Sequence, residues 1–252
     1  VLVFSQYESF IHKLFTTLSL FSGFFIIIAS GTRGAWLSFI FLLGIYLYFL
    51  YKQKVKLRKK LKIIMALIVV SLLSIGSFNE SVNQRLDEAY TQTSKWVGGD
   101  TDLKIGDGSI NPISERLAMY RAAINNIKDV PFFGHGYRTS NIVLFKNDMG
   151  DMGKIAVNYN HLHNAYLTSY YNGGIVLLGA LLFILFVPLK VFIKANSQDR
   201  ENPIFISGVL LTLGYASIGM VSILLGDTYM NGFYVFFLAI FLLLTYKSIK
   251  VP

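Results

Sequence analysis

Residues 34–62 read GAWLSFIFLLGIYLYFLYKQKVKLRKKLK. Its first part, 34–51, holds no charged residue, whereas 52–62 carries Lys52, Lys54, Lys56, Arg58, Lys59, Lys60 and Lys62. About 20 consecutive apolar residues cross the hydrocarbon core of a bilayer as a helix. Cytoplasmic loops carry an excess of Lys and Arg, so an uncharged stretch closed by such a cluster reads as a spanning helix entering the cytoplasm.

The same pattern recurs on both sides of this stretch. Uncharged runs cover 14–32, 63–79, 202–226 and 228–246, and a further apolar run, 175–189, ends against Lys190. A lysine at that place can snorkel towards headgroups. These runs predict an all-α integral membrane protein with six transmembrane helices. The chain is 54% hydrophobic and 15% charged, with mean hydropathy +0.52, and the runs lack the polar face that a helix of a soluble protein needs.

Alternation of six spans puts 1–13, 52–62, 190–201 and 247–252 on the cytoplasmic side. Those segments hold thirteen basic and three acidic residues, +10, and the rest of the chain sums to −1, which together give the net charge of +9. Orientation and anionic lipid account for the basic balance, and a nucleic-acid partner is not implied. Cysteine is absent, so thiol and disulfide chemistry are excluded. The chain begins at Val1 with no charged start and cleavage site, and reads as the C-terminal part of a longer polytopic protein.

Three regions follow: 1–79 with three spans, a loop domain over 80–174, and 175–252 with three more spans. A loop of that length implies structure or function of its own. Within it, Ser114 precedes ERLAMYRAAINNIKDV, where Leu117, Tyr120, Ile124 and Ile127 share one helical face. Ser114 is the expected N-cap and Pro131 the stop. Gly134 and Gly136 predict a turn, and Tyr166, Tyr170 and Tyr171 read as an interfacial belt where the chain re-enters the membrane.

Four places on the outer face could carry chemistry. Arg33, in GTRGAW between the first two spans, is either a headgroup anchor or a holder of an anionic ligand, since topology disfavours an arginine on that side. Arg116 and Arg121 are five residues apart on the loop helix and point about 140° apart, so both cannot face one ligand. His161 and His163, in HLHN, fit a surface pair, a metal site lacking a third ligand at a diagnostic spacing, or a general base. Asp227 is the only charged residue between the last two spans, and either orients a partner or caps an exposed turn.

TRGAWL at 32–37, NQRLDEA at 83–89, RLAMY at 116–120, PFFGHG at 131–136 and HLHNAYL at 161–167, followed by the span GGIVLLG at 173–179, together resemble the bacterial O-antigen ligase and polymerase superfamily, with the ligases the nearer. The resemblance runs from about Thr16 to the C-terminus. It implies a glycosyltransferase of GT-C type, metal-independent and without cofactor, in the bacterial inner membrane. Such an enzyme transfers a glycan from undecaprenyl diphosphate to a sugar hydroxyl of lipid A–core at the periplasmic face. By the same resemblance, Arg33 and Arg116 hold the diphosphate, while His163 and Asp227 are catalytic, with His161 and Asn164 as supporting contacts. The histidine in Gly134-His135-Gly136 departs from the family pattern and leaves a role for His135 open.

Polymerases and protein O-oligosaccharyltransferases share this architecture and differ in acceptor. A transporter would place charged or polar residues inside the spans, and these spans carry none beyond Gly, Ser, Thr and the Asn and Pro near their ends.

Overall fold

The computed structural model describes residues 33–52, 112–136, 161–199, 202–224 and 228–250, with single helical positions between 11 and 26 and between 87 and 94. Among the described residues the regular structure is entirely α-helical. We label the helices α1 (Arg33–Lys52), α2 (Pro112–Ile127), α3 (Ala165–Gln198), α4 (Pro203–Gly219) and α5 (Thr228–Lys250). The chain divides into two compact units. The first contains residues 1–54, 131–137 and 163–252, and the second 55–130 and 138–162.

In the first unit α4 is the central helix, touching α1, α3 and α5, and α3 also meets α5. Association in lipid depends on close packing, because lipid tails are as apolar as the side chains, so small residues mark the interfaces. Helix α4 supplies them. A Cβ on Gly208 would lie 2.5 Å from the Phe192 ring of α3, and one on Gly214 would lie 3.1 Å from Leu42 of α1. The outward faces are apolar: Phe183, Phe186 and Ile193 of α3, and Phe233, Val235 and Phe236 of α5, are at least half exposed. An apolar exterior around a small-residue interior is the arrangement a bilayer solvates. Helices α3 and α5 are long and apolar enough to cross a membrane, and Gly34–Phe49 and Pro203–Gly219 are shorter apolar helices. The chain is thus a membrane protein. The expected span over 63–79, and most of that over 14–32, lie outside the described residues.

Two features of α3 depart from a simple span. Its 34 residues would measure about 51 Å as one straight helix, well beyond a core of about 30 Å. Gly173 (φ −133°, ψ 17°) and Gly174 (φ 60°, ψ −157°) break it. The expected span starts where the break ends, at Ile175. Further along, Pro188 has no N–H to give to the carbonyl of Ile184. The Tyr234 hydroxyl of α5 donates to that oxygen at 3.1 Å, so a carbonyl left over by proline becomes an interhelical tie. The Tyr234 ring stacks on Tyr215 of α4 with centroids 4.0 Å apart, and the Tyr215 hydroxyl donates to Asn231 Oδ1 at 2.6 Å.

The structure also corrects two boundaries and one helical face. Within the apolar run 202–226, the helix ends at Gly219, and 220–224 are not helical. Met220 N–H and Val221 N–H donate back to Ser217 O (3.2 Å) and Ile218 O (3.0 Å), tightening the end into a turn. Helix α2 begins at Pro112, two residues before the expected Ser114 cap, with proline's fixed φ suited to a first helical position. Among its described side chains the buried ones are Met119, Ala122, Ala123 and Ile127, whereas Ile124 is 50% exposed. Counting only large apolar residues turned the face away from the alanines, which allow close packing but contribute little to a hydropathy pattern.

Candidate functional site at the C-terminal turn of helix α4

The C-terminal turn of α4 gathers the starts of two other helices. The last carbonyls of a helix lack intrahelical donors. Because Met220 N–H turns back to Ser217, the oxygen of Ala216 is free, and the Tyr166 hydroxyl of α3 donates to it at 2.8 Å. Asn164 Nδ2 donates to Met220 O at 3.4 Å. On the other side Gly34, the second residue of α1, lies directly against Val221, leaving no room for a Cβ. The backbone that carries Arg33 and the backbone that carries His163 therefore meet at one turn, 216–221. Sequence separation hides this meeting entirely.

Asn164 is the N-cap of α3. Its Oδ1 accepts from Leu167 N–H at 2.9 Å, while its carbonyl accepts from the Thr168 hydroxyl at 2.7 Å. One residue earlier, His163 has φ 51°, the one non-glycine residue with positive φ among the described residues. Left-handed backbone at a histidine is uncommon and persists where neighbouring structure enforces it, frequently at functional sites. Here the enforcing structure is the cap and its two ties to α4. His163 thus lies immediately before the N-cap of α3.

Arg116, Arg121 and His161 belong to the second unit. Arg116 is half-buried and Arg121 exposed, as their spacing on one helix predicts. His161 is half-buried, and burial first, then the Arg116 guanidinium, holds its pKa below the ordinary histidine value. Both effects disfavour the imidazolium, so His161 favours the neutral, proton-accepting form. An arginine and a neutral imidazole thus lie within electrostatic reach of each other.

The side chain of Arg33 and the whole of Asp227 lie outside what the structure describes. Among the described residues no three His, Cys, Asp or Glu side chains gather as metal ligands. Two residues have roles that sequence reasoning missed. Tyr171, read as part of an interfacial belt, is 1% exposed and lies against the His135 ring at 4.5 Å. The Tyr166 hydroxyl is tied to α4. The signal available for Tyr171 was the presence of PFFGHG and YNGG, two motifs whose glycines Gly134, Gly136 and Gly174 adopt positive φ.

Comparison with known families matches residues 18–184 to the family described as O-Antigen ligase. The match covers more than half of the chain and includes Arg33, Arg116 and His163, and the protein belongs to that family. A protein of Haemophilus influenzae (strain ATCC 51907 / DSM 11121 / KW20 / Rd), described as an uncharacterized protein, is 29% identical over 175 residues. Those residues are 69% of this chain and 42% of the relative, so the chain spans less than half of the relative's length.

Proposed function

We propose that this chain is the catalytic membrane part of an O-antigen ligase. It transfers a glycan from undecaprenyl diphosphate to a sugar hydroxyl of lipid A–core at the periplasmic face of the inner membrane. The proposed architecture has six spans of a GT-C-type fold divided as 1–79, 80–174 and 175–252. The observation that carries this reading is the convergence of the Arg33 and His163 backbones on turn 216–221, at the opposite end of α1 from the basic run 52–62.

Glycosyl transfer from a diphosphate needs two things at one place. The leaving diphosphate must have its charge met, and the acceptor hydroxyl must lose a proton. Arginine suits the first, because its planar fork donates paired hydrogen bonds and keeps its charge. Arg33 and Arg116 take that part. His163 removes the acceptor proton as the hydroxyl oxygen attacks the anomeric carbon, and the bond to the diphosphate oxygen breaks. The proton rests on the imidazole until solvent takes it. Asp227 orients the histidine or an arginine, and His161, kept neutral, accepts a hydrogen bond beside Arg116. No step needs a metal ion.

The test separates ligase from polymerase. Cells lacking the full-length protein should accumulate long polymer on the lipid carrier, and complementation should move it to lipid A–core. Single repeats on the carrier would identify a polymerase instead. In purified full-length protein His163→Ala should abolish transfer while donor binding persists, and His161→Ala should keep measurable activity. The reverse pattern would exchange the two histidines. A reporter fused within 80–160 should read periplasmic and one within 52–62 cytoplasmic; the opposite result overturns the placement of the site.

A further inference from the structure

The break in α3 has a partner. At Gly173–Gly174 the helix breaks, and residues 131–136, PFFGHG, hydrogen-bond to the carbonyls of Tyr171 and Asn172 and to the N–H of Ile175. His135 N–H donates to Tyr171 O at 2.9 Å, Gly136 N–H donates to Asn172 O at 2.8 Å, and Ile175 N–H donates to Pro131 O at 2.9 Å. The approach is backbone to backbone. A Cβ on Gly134 would lie 2.6 Å from the main chain of Asn172, Gly173 and Gly174, and one on Gly174 would collide with the main chain of Phe132. Gly134 and Gly174 have φ 64° and 60°, which L side chains rarely adopt. The His135 ring lies over Tyr171, with centroids 4.5 Å apart and planes 32° apart.

The short segment from Ala165 to Asn172 is therefore held at both ends. Asn164 and Tyr166 fix its start to α4, and the 131–136 loop fixes its end. His163 stands one residue outside the fixed start. A catalytic base works only within hydrogen-bond reach of its proton, and a misplacement of about 1 Å costs on the order of a hundredfold.

We propose that His135 is a positioning residue. Its ring packs on Tyr171 and seats the 131–136 loop in the helix break, and this joint sets the position of His163 for transfer. Neither ring nitrogen of His135 takes part in proton transfer. The stacking surface is the required property, so an apolar aromatic ring can replace the imidazole. The inference rests on the transfer reaction proposed above, and backbone exchange reads the joint without reference to that reaction.

The experiment compares His135→Phe with His135→Ala in purified full-length protein, reading amide hydrogen exchange and transfer kinetics. In the unaltered protein the amides of His135, Gly136 and Ile175 should exchange slowly. His135→Ala should speed exchange over 171–175, and His135→Phe should restore protection. Transfer should follow. His135→Ala should lower kcat roughly ten- to a hundredfold with little change in KM for the lipid-linked donor, and His135→Phe should stay within about threefold of the unaltered protein. A His135→Phe variant as slow as His135→Ala, with protection restored, would give the ring nitrogens the role and overturn the proposal. So would full activity in His135→Ala, or unprotected amides in the unaltered protein. Protected amides restored by phenylalanine, in a protein that transfers no glycan, would uphold the joint and refute the reaction instead.

Discussion

The two parts of α3 on either side of Gly173–Gly174 are built on different physics. Beyond the break, from Ile175 to Gln198, the helix satisfies most of its own backbone, with the Ile175 N–H and the Ile184 carbonyl as exceptions, packs Leu181, Leu185 and Phe192 inward, and presents Phe183, Phe186 and Ile193 outward. Before the break, from Ala165 to Asn172, polar ties to its surroundings arrive at both ends. The first kind of helix is anchored by its solvent and its small-residue neighbour. The second is anchored residue by residue, and the histidine adjoins it. A site that must hold a side chain to a fraction of an ångström is better served by the second.

The sharpest way to break this contrast is to put the same methyl group into both parts. Gly174→Ala forces a side chain into left-handed backbone and against the Phe132 main chain, whereas a Cβ on Gly179 meets nothing within 4 Å. Gly174→Ala should cost about 3 kcal/mol or more, read as a large fall in melting temperature or in folded yield. Gly179→Ala should be neutral or slightly stabilising. Equal effects would mean that the break is not the fixed point.

A second comparison asks whether the inner part also depends on any single tie. Tyr234→Phe removes the donor to Ile184 O and leaves that carbonyl unpaired in an apolar bundle. Within a membrane the expected cost is about 0.6–1.7 kcal/mol. Tyr229→Phe, at a residue 90% exposed, should cost nothing measurable by the same thermal assay.

The cap of α3 should show a stability effect of similar size but a distinct signature in activity. Asn164→Ala loses the acceptor for Leu167 N–H and the donor to Met220 O, and should cost about 1 kcal/mol. Asn164→Asp keeps the acceptor and loses the donor. If the tie to α4 places His163, transfer should fall in both variants while helix stability recovers only in the aspartate.

The smallest expected effect belongs to the second unit. His161 should titrate below 6.5 by NMR, and Arg116→Gln should raise its pKa only part of the way, because burial is the larger cause. The consequence for stability has a definite sign. A histidine whose folded pKa is depressed is protonated first in the unfolded chain, so its contribution lowers stability as pH falls below 6.5 and is absent well above it. A His161 pKa above 6.5 would remove the neutral imidazole from the scheme.

The sequence alone determined the membrane character, the basic cluster at 52–62, helix α2 and its opposed arginines. Each follows from a local property: an uncharged length, a charge cluster, or an angular period along one helix. The same local view misplaced the buried face of α2 and extended α4 by several residues, because alanine and a tightened last turn leave little trace in hydropathy. It read Tyr166 and Tyr171 as members of a belt, since a tyrosine at a membrane edge has the same composition whether its partner is a headgroup or a carbonyl. Only the tertiary structure decided that Ala216 O, Met220 O, Tyr171 O, Asn172 O and the Ile175 N–H find partners far away in the chain. Those groups belong to a helix end and to a helix break, where the backbone no longer satisfies itself. In an environment with little water, something distant must complete it, and that requirement ties the start of α3, beside His163, to the turn against which Gly34 packs.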